Sequence, residues 1–314
     1  MKFFIKKLIT LIITLLLISF LTFAAFSIIP GDAALSRLGK DASPAQVEAL
    51  REEMGLNDPL PGRYIRWIGG IATGDFGDSY RYEGTSVSSL LKDRLPVTVL
   101  LSVISLIIIL VFSVPLGIAG ARHAGEWSDV LTNQLTQIMM AVPPFFLGMI
   151  LTYVFGLVLH FFQPGKFTLP SEDFMGSVKY LFFPALAIAL PKIAMVVKFL
   201  RGSVLSEMNK DYVRTAFSKG NTKTGVLYGH ILKNALIPVI TFLAMVIAEI
   251  LAGSIIVEQV FSVPGIGRLL ITSISNRDYP VVQAIVLYIT AVVVIINFIV
   301  DTLYQFLDPR VKTS

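Results

Sequence analysis

Residues 211–238, DYVRTAFSKGNTKTGVLYGHILKNALIP, form the longest polar passage in the second half of the chain, between two apolar runs of membrane length. Lys and Arg recur along this passage, which predicts that it lies on the cytoplasmic side of a membrane, where these residues accumulate. The passage holds no evident nucleophile, general base or metal-ligand cluster. It therefore predicts a docking surface, and the alternative is an ordinary basic loop held by lipid phosphates.

The composition is that of an integral membrane protein. Hydrophobic residues make up 54% of the 314 residues and charged residues only 15%, whereas a soluble domain has roughly 25% charged residues. The net charge of +5 is spread over the polar segments without a basic stripe, so it indicates membrane orientation and not nucleic-acid binding. The chain has no cysteine, which excludes disulfides, thiolate metal sites and a cysteine nucleophile.

The apolar runs predict an all-α membrane protein with six transmembrane helices. The expected spans are residues 8–29, 97–120, 132–160, 180–200, 235–257 and 282–306. Six spans put both termini on one side, and the excess of Lys and Arg in the segments assigned inside makes that side cytoplasmic. The predicted divisions are an N-terminal helix at 1–29, an extracytoplasmic segment at 30–96, a five-helix core at 97–306 with a cytoplasmic loop at 201–234, and a cytoplasmic tail at 307–314.

The first apolar run has an alternative interpretation as a cleaved signal peptide, because Ala24 and Ala25 resemble a small-residue cleavage site. However, the run exceeds the roughly 7–15 residues of a signal core and is long enough to cross about 30 Å of hydrocarbon. We therefore expect an uncleaved span.

The segment after this span carries the signals of a short helix. Ser43 is an expected N-cap, Pro44 suits the first helical position, and Gln46 completes a capping box. Gly55 supplies a stop, so the sequence predicts a helix over about 44–54. Together with the following glycine-punctuated stretch, this helix predicts a small extracytoplasmic subdomain.

Residues 211–238 predict two short helices separated by a glycine. The apolar residues that share one face of the first helix are Val213, Ala216 and Phe217. Gly220 can end that helix in the left-handed conformation. A second helix is expected from near Thr222 to about Leu232, with Leu227 and Ile231 on one side and basic residues on the other. Such a pair forms a lever that a soluble partner can push.

Prolines recur inside the predicted spans, at positions 115, 143, 144, 184 and 191. Proline removes a backbone hydrogen bond and kinks a helix. Kinked helices packed around a shared pathway suit a transporter.

Ordered motifs along nearly the whole chain resemble the dipeptide, oligopeptide and nickel branch of the ABC importer permeases. The central likeness is DYVRTAFSKG followed by HILKNALIPVI, which is similar to the EAA loop of that family. The other matching motifs are PGD at 30–32, GLNDPL at 55–60, GDFG at 74–77, PFFLG at 144–148, EQVF at 258–261, PGIG at 264–267, RDYP at 277–280 and DPR at 308–310. The chain is thereby identified as a suspected type I ABC importer permease.

The loop departs from the general family pattern in two places. Arg214 stands where the family has Glu, and the loop's terminal proline comes later, at Pro238; both changes resemble the peptide branch. Because this Glu is absent, its role in the family is not carried over to this chain. The residues that the resemblance assigns to contact with an ATPase are Arg214, Thr215, Ala216, Gly220, Asn221, Thr222, Lys223, Leu227 and His230.

The resemblance also implies the partners. These are a second homologous permease, cytoplasmic ATPase subunits that bind ATP and Mg, and an extracytoplasmic substrate-binding protein, all at the cytoplasmic membrane of a prokaryote. This chain is expected to hold no cofactor and to be no enzyme, and GNTKTG at 220–225 lacks the Gly-Lys-Ser/Thr ending of a phosphate-binding loop. The lack of clustered His, Cys and Met along the spans favours peptides as cargo over nickel or a metal chelate.

Ionisable residues within the spans are further candidates. Glu249 lies inside the fifth predicted span, where a charge must be paired or face water. It is a candidate pathway residue that could meet a cationic substrate or a peptide amine, and the alternative is a protonated or hydrogen-bonded packing residue. Glu258 is a second candidate near the outer end of that span. Asp301, with Asn297 one turn before it, is expected to bond helices together. Alternatively, Glu249 and Asp301 carry protons in an ion-coupled secondary transporter, and an intramembrane enzyme has no supporting motif.

Overall fold

The computed structural model describes residues 2–28, 33–39 and 42–307, and over these residues the chain is built from helices with no named strand. The helices are α1 (Lys2–Ile28), α2 (Ala33–Leu38), α3 (Pro44–Glu53), α4 (Leu60–Ala72), α5 (Val87–Arg122), α6 (Trp127–Ala141), α7 (Pro144–Leu151), α8 (Phe174–Met208), α9 (Asp211–Ser218), α10 (Lys223–Val226), α11 (Leu232–Val260), α12 (Ile266–Ser275) and α13 (Tyr279–Leu307). Two π-helical stretches, Thr152–Val158 and Leu227–Ile231, extend α7 and α10. The all-α prediction is confirmed. The motifs at 30–32 and 308–310 and the tail beyond Leu307 lie outside the described residues.

Among the described residues, five helices are long and apolar enough to cross a membrane, and the count rises to six if one bent pair is a single span. That pair is α6 with α7 and its π-helical extension, bent by 93°. The predicted span over 132–160 is therefore two helices that meet at a sharp bend, where the prolines had indicated a kinked helix. The residue before a proline avoids helical dihedrals, and Val142 and Pro143 take extended ones, with ψ of 121° and 143°. The two prolines at this point break the helix instead of merely kinking it.

The chain divides into two compact units, of which the first is Met1–Thr98 with Val263–Ile295. Within it, α4 packs along α1: the Tyr64 hydroxyl lies 2.8 Å from Ser19 Oγ, and the Phe23 ring contacts Tyr64 and Trp67. The predicted capping box of α3 is confirmed, since Gln46 N donates to Ser43 Oγ and Ser43 N donates to Gln46 Oε1.

A buried carboxylate fastens the loop before α5 to the turn between α12 and α13. Asp278 and Ser79 are both fully buried. The Ser79 hydroxyl donates to Asp278 Oδ2, and the Tyr80 amide donates to Oδ1 at 3.0 Å. Residues about 200 positions apart are thus joined by charge-assisted hydrogen bonds, which are stronger than neutral ones.

We expect Asp278→Ala to loosen this loop. The substitution removes the acceptor of the buried Ser79 hydroxyl and an acceptor of the partly buried Tyr80 amide, which costs about 1–3 kcal/mol. Limited proteolysis should then cut within residues 75–86 faster than in the unsubstituted protein. Asp78→Ala is the matched control, because that carboxylate is exposed and only one residue from Ser79. Equal cleavage of the two variants would show that Asp278 does not hold the loop.

The second unit, Val99–Ser262 with Ile296–Ser314, is organised around α8. This helix continues through Pro184 and Pro191, and α6, α7 and α11 pack against it. Close approach requires glycine at one contact, because a Cβ on Gly117 of α5 would lie 2.9 Å from Leu200 Cδ2. The C-terminal end of α8 leads directly into the polar passage at residues 211–238.

Candidate coupling site

We call residues 211–231 the coupling segment. Its first half, from α9 to Thr222, has the local structure that the sequence predicts. Helix α9 ends one residue before Lys219, and Gly220 then takes a φ of +84°, the left-handed conformation. The Asn221 side chain donates to the Ala216 carbonyl at 3.0 Å and so fastens the turn to α9. Thr222 is the N-cap of α10, accepting a hydrogen bond from the Gly225 amide at 3.1 Å.

The second half differs from the prediction of a separate short helix ending near Leu232. Helix α10 runs through the π-helical stretch Leu227–Ile231 into α11 without a break. No proline or left-handed glycine interrupts this run before Pro238, which lies inside α11. Helices end where the backbone finds a stop signal, and none occurs here. The second half of the coupling segment therefore continues without a break into the membrane-crossing helix α11.

A buried apolar cluster holds the coupling segment against the ends of three long helices. Its members come from α5, α8, α9, α10, the π-helical stretch and α11: Ile118, Ala121, Leu200, Val204, Val213, Ala216, Val226, Leu227, Ile231, Ala235 and Val239. The expected burial of Val213, Leu227 and Ile231 is confirmed. Phe217, which the helical spacing placed with them, is 43% exposed. Helix α9 contacts the buried cluster through Val213 and Ala216, so the Phe217 side chain points away from the cluster.

Most of the residues assigned to ATPase contact lie on the open side of this cluster. The exposed ones are Arg214, Thr215, Gly220, Asn221, Thr222, Lys223 and His230, whereas Ala216 and Leu227 belong to the buried cluster. Docking by these residues stays a prediction. The structure adds a neighbouring cavity of about 420 Å³, whose wall includes Arg122, His123 and Glu126 from the α5–α6 turn and Phe217 and Lys223 from the coupling segment. From the sequence, Arg122, His123 and Glu126 were identified only as members of the loop between the second and third predicted spans.

Polar contacts fix α9 to the end of α8. The Tyr212 hydroxyl donates to Glu207 Oε2 at 2.8 Å. Burial raises the pKa of the Tyr212 hydroxyl above its ordinary value.

A bidentate ion pair braces the same end of α8 against α6. Arg201 Nε and Nη2 donate to Asp129 Oδ1 and Oδ2, each at 2.7 Å. Asp129 is only 3% exposed and accepts two further hydrogen bonds, from the Gly125 amide at 3.0 Å and the Asn133 amide group at 3.1 Å. Sequence reasoning missed this pair, because its members are 72 residues apart.

The candidate pathway residues have different surroundings. Glu249 is half exposed and forms an ion pair with Lys192 of α8, a partner that sequence reasoning did not name. Glu258 is fully buried near the end of α11. A role in the pathway stays a prediction for both. The side chain of Asp301 lies outside the described residues.

Comparisons with known proteins agree along the whole length of the chain. Residues 113–313 match the family model of the binding-protein-dependent transport system inner membrane component, and residues 1–102 match the model of the N-terminal part of such membrane components. The chain is 37% identical over 300 residues to the oligopeptide transport system permease protein AppB of Bacillus subtilis, covering 95% of each chain.

Two further relatives are similar over almost their full length. A probable peptide ABC transporter permease of Sinorhizobium fredii is 33% identical over 310 residues, covering 99% of each chain. A putative peptide permease of Brucella ovis is 34% identical over 304 residues, covering 96% of this chain and 95% of its own. With these matches and its long apolar helices, this multi-pass membrane protein belongs to the family of binding-protein-dependent transport system inner membrane components.

Proposed function

We propose that this chain is a permease subunit of an ATP-driven importer and forms half of a translocation pathway for di- or oligopeptides. The observation that carries the proposal is the coupling segment, which presents an exposed polar surface and continues unbroken into a membrane-crossing helix. A partner that pushes on this surface moves α11 directly. Peptide cargo is supported by the peptide permeases to which the chain is 33–37% identical.

The geometry favours transmission of force without catalysis in this chain. Motion applied at the turn around Gly220 reaches α11 through the helix and reaches α5 and α8 through the buried cluster. Packed interfaces of this kind switch between discrete arrangements and do not deform continuously. Alternation of the spans between inward-open and outward-open states follows from that bistability.

The partners belong to the same proposal. Cytoplasmic ATPase subunits, which carry ATP and Mg, would bind the coupling segment, and a second homologous permease would complete the pathway. An extracytoplasmic binding protein would deliver the peptide to the segment at 30–96. This assignment places both termini in the cytoplasm of a prokaryote and the spans in its plasma membrane.

Reconstitution with the partner subunits tests the proposal against its two rivals. We expect uptake of a labelled peptide into proteoliposomes to require ATP on the side of the coupling segment and to persist with an uncoupler. Uptake that needs no ATPase subunit and stops with an uncoupler would indicate a secondary transporter. Uptake of nickel or a nickel chelate instead of peptide would retain the importer and change its cargo.

Substitution of Phe217 tests the docking surface. An exposed aromatic side chain beside a cavity is a typical binding hot spot, worth about 2 kcal/mol or more when truncated. We therefore expect Phe217→Ala to weaken binding of the ATPase subunits by about 30-fold, measured by titrating detergent-purified permease with them. The control is Trp127→Ala, since Trp127 is 79% exposed but outside the coupling segment. Equal affinity of both variants would count against docking at Phe217.

A further inference from the structure

A groove along α8 and α11 has the chemical character of a peptide-binding site. It encloses about 620 Å³ within the second unit. Its character comes from Met140 of α6, from Met195, Lys198, Phe199 and Glu207 of α8, and from Phe242 of α11. The groove combines an apolar wall with two charged side chains, those of Lys198 and Glu207.

The apolar wall is soft and aromatic. Phe199 and Phe242 stack across the two helices with ring centroids 4.4 Å apart and planes 12° from parallel. Met140 and Met195 lie beside this pair. Methionine is flexible and polarisable, so it adapts to partners of different shape. Such a wall suits ligands whose side chains vary.

The Lys192–Glu249 ion pair continues the same helical faces. On α8, Lys192 precedes Met195 and Phe199 by three and seven residues, and on α11, Glu249 follows Phe242 by seven; both spacings place residues on one helical face. Met245, between Phe242 and Glu249, is 54% exposed. The partly exposed Phe242 and the exposed Met245 and Glu249 therefore form a line on α11 that runs from the groove to the ion pair.

The exposure of the Lys192–Glu249 pair indicates that it faces water or protein and not lipid. The Glu249 side chain is 48% exposed and that of Lys192 is 17% exposed. Within a membrane-crossing helix, an exposed carboxylate facing lipid is costly, so such residues face water-filled cavities or protein. Glu249 offers the more open charge, and Lys192 contacts it from the side of α8. An ammonium group is the complement of that open carboxylate.

We propose that this groove is the chain's share of the translocation pathway and binds peptides with a free amino terminus, whose ammonium contacts Glu249. Lys192 is a positioning residue that orients the carboxylate through their ion pair. The methionine and phenylalanine wall accepts peptide side chains without selecting one type. This inference rests on the proposed importer function and specifies its substrate class.

Single cysteines test the groove directly, because the chain has no cysteine of its own. Met245→Cys and Ile107→Cys are a matched pair, since both residues are 54% exposed within membrane-crossing helices, α11 and α5. In the transporter assembled with its partner subunits, we expect a charged methanethiosulfonate reagent to modify the Met245→Cys protein at least tenfold faster. Similar rates would overturn the assignment of a water-filled path. Phe199→Cys provides a second position if the first variant does not assemble.

Protection by added ligands then identifies the occupant. We expect trialanine, added at high concentration without binding protein, to slow modification of the Met245→Cys protein severalfold, and N-acetyl-trialanine to slow it much less. Glu249→Gln in the same background should abolish the difference, whereas Glu249→Asp should retain part of it. Equal protection by both peptides, or protection by nickel chloride alone, would overturn the ammonium contact. ATP-dependent uptake, measured on the same preparation, reports separately whether the importer function itself holds.

Discussion

Replacement of Gly220 by valine should reduce ATP-driven uptake by at least about tenfold. The position has a φ of +84°, and an added Cβ would meet nothing within 4 Å, so the cost is backbone strain and not a clash. A non-glycine residue held in this conformation costs about 1–3 kcal/mol, and a β-branched residue is a true outlier there. The turn would relax and move α9 away from the N-terminus of α10, disordering the docking surface. The measurements are peptide uptake and the affinity for the ATPase subunits.

Two substitutions in the same segment are its controls. Asparagine visits the left-handed conformation more readily than other side chains, so Gly220→Asn should keep most of the transport. Gly229→Ala should be nearly neutral, because Gly229 lies in the π-helical stretch with ordinary φ and open space at its Cβ. Normal transport and normal ATPase binding by the Gly220→Val protein would contradict the assignment of this segment to coupling.

Arg201→Met should be the most destabilising single substitution at the brace between α6 and α8. It leaves the Asp129 carboxylate, which is 3% exposed, with only the donors from Gly125 and Asn133. Breaking a buried pair from one side costs about 3–5 kcal/mol, because a buried charge remains uncompensated. We expect the unfolding temperature in detergent to fall by about 10 °C, at roughly 2–4 °C per kcal/mol.

A double substitution separates the charge from the packing. Adding Asp129→Asn to Arg201→Met removes the uncompensated charge and keeps a side chain that can accept the Gly125 hydrogen bond. The double variant should therefore recover at least half of the lost unfolding temperature. Arg214→Met is the exposed control, because Arg214 is 81% exposed and 3.8 Å from an exposed Asp211, and such pairs contribute little. If the double variant were no more stable than Arg201→Met, loss of packing and not a buried charge would explain the effect.

The sequence by itself determined the features that depend on neighbouring residues. Apolar runs predicted the membrane class, because about 20 apolar residues suffice to cross the hydrocarbon core. The capping box at Ser43, the left-handed stop at Gly220 and the start of a helix near Thr222 were confirmed, since each rests on residues within a few positions of one another. Ordered motifs also indicated the family, which the comparisons confirmed.

Only the tertiary structure decided the features that depend on distant residues. Phe217 lies outward because Val213 and Ala216 meet side chains from α5, α8 and α11, and helical spacing alone cannot rank the members of an apolar face. The pairs Asp129–Arg201 and Lys192–Glu249 join residues 72 and 57 positions apart, so no local pattern reveals them. The continuity of α10 with α11 is different, because the lack of a stop signal before Pro238 is a local feature that the sequence already contained. Packing of Val226, Leu227 and Ile231 into the buried cluster adds to it.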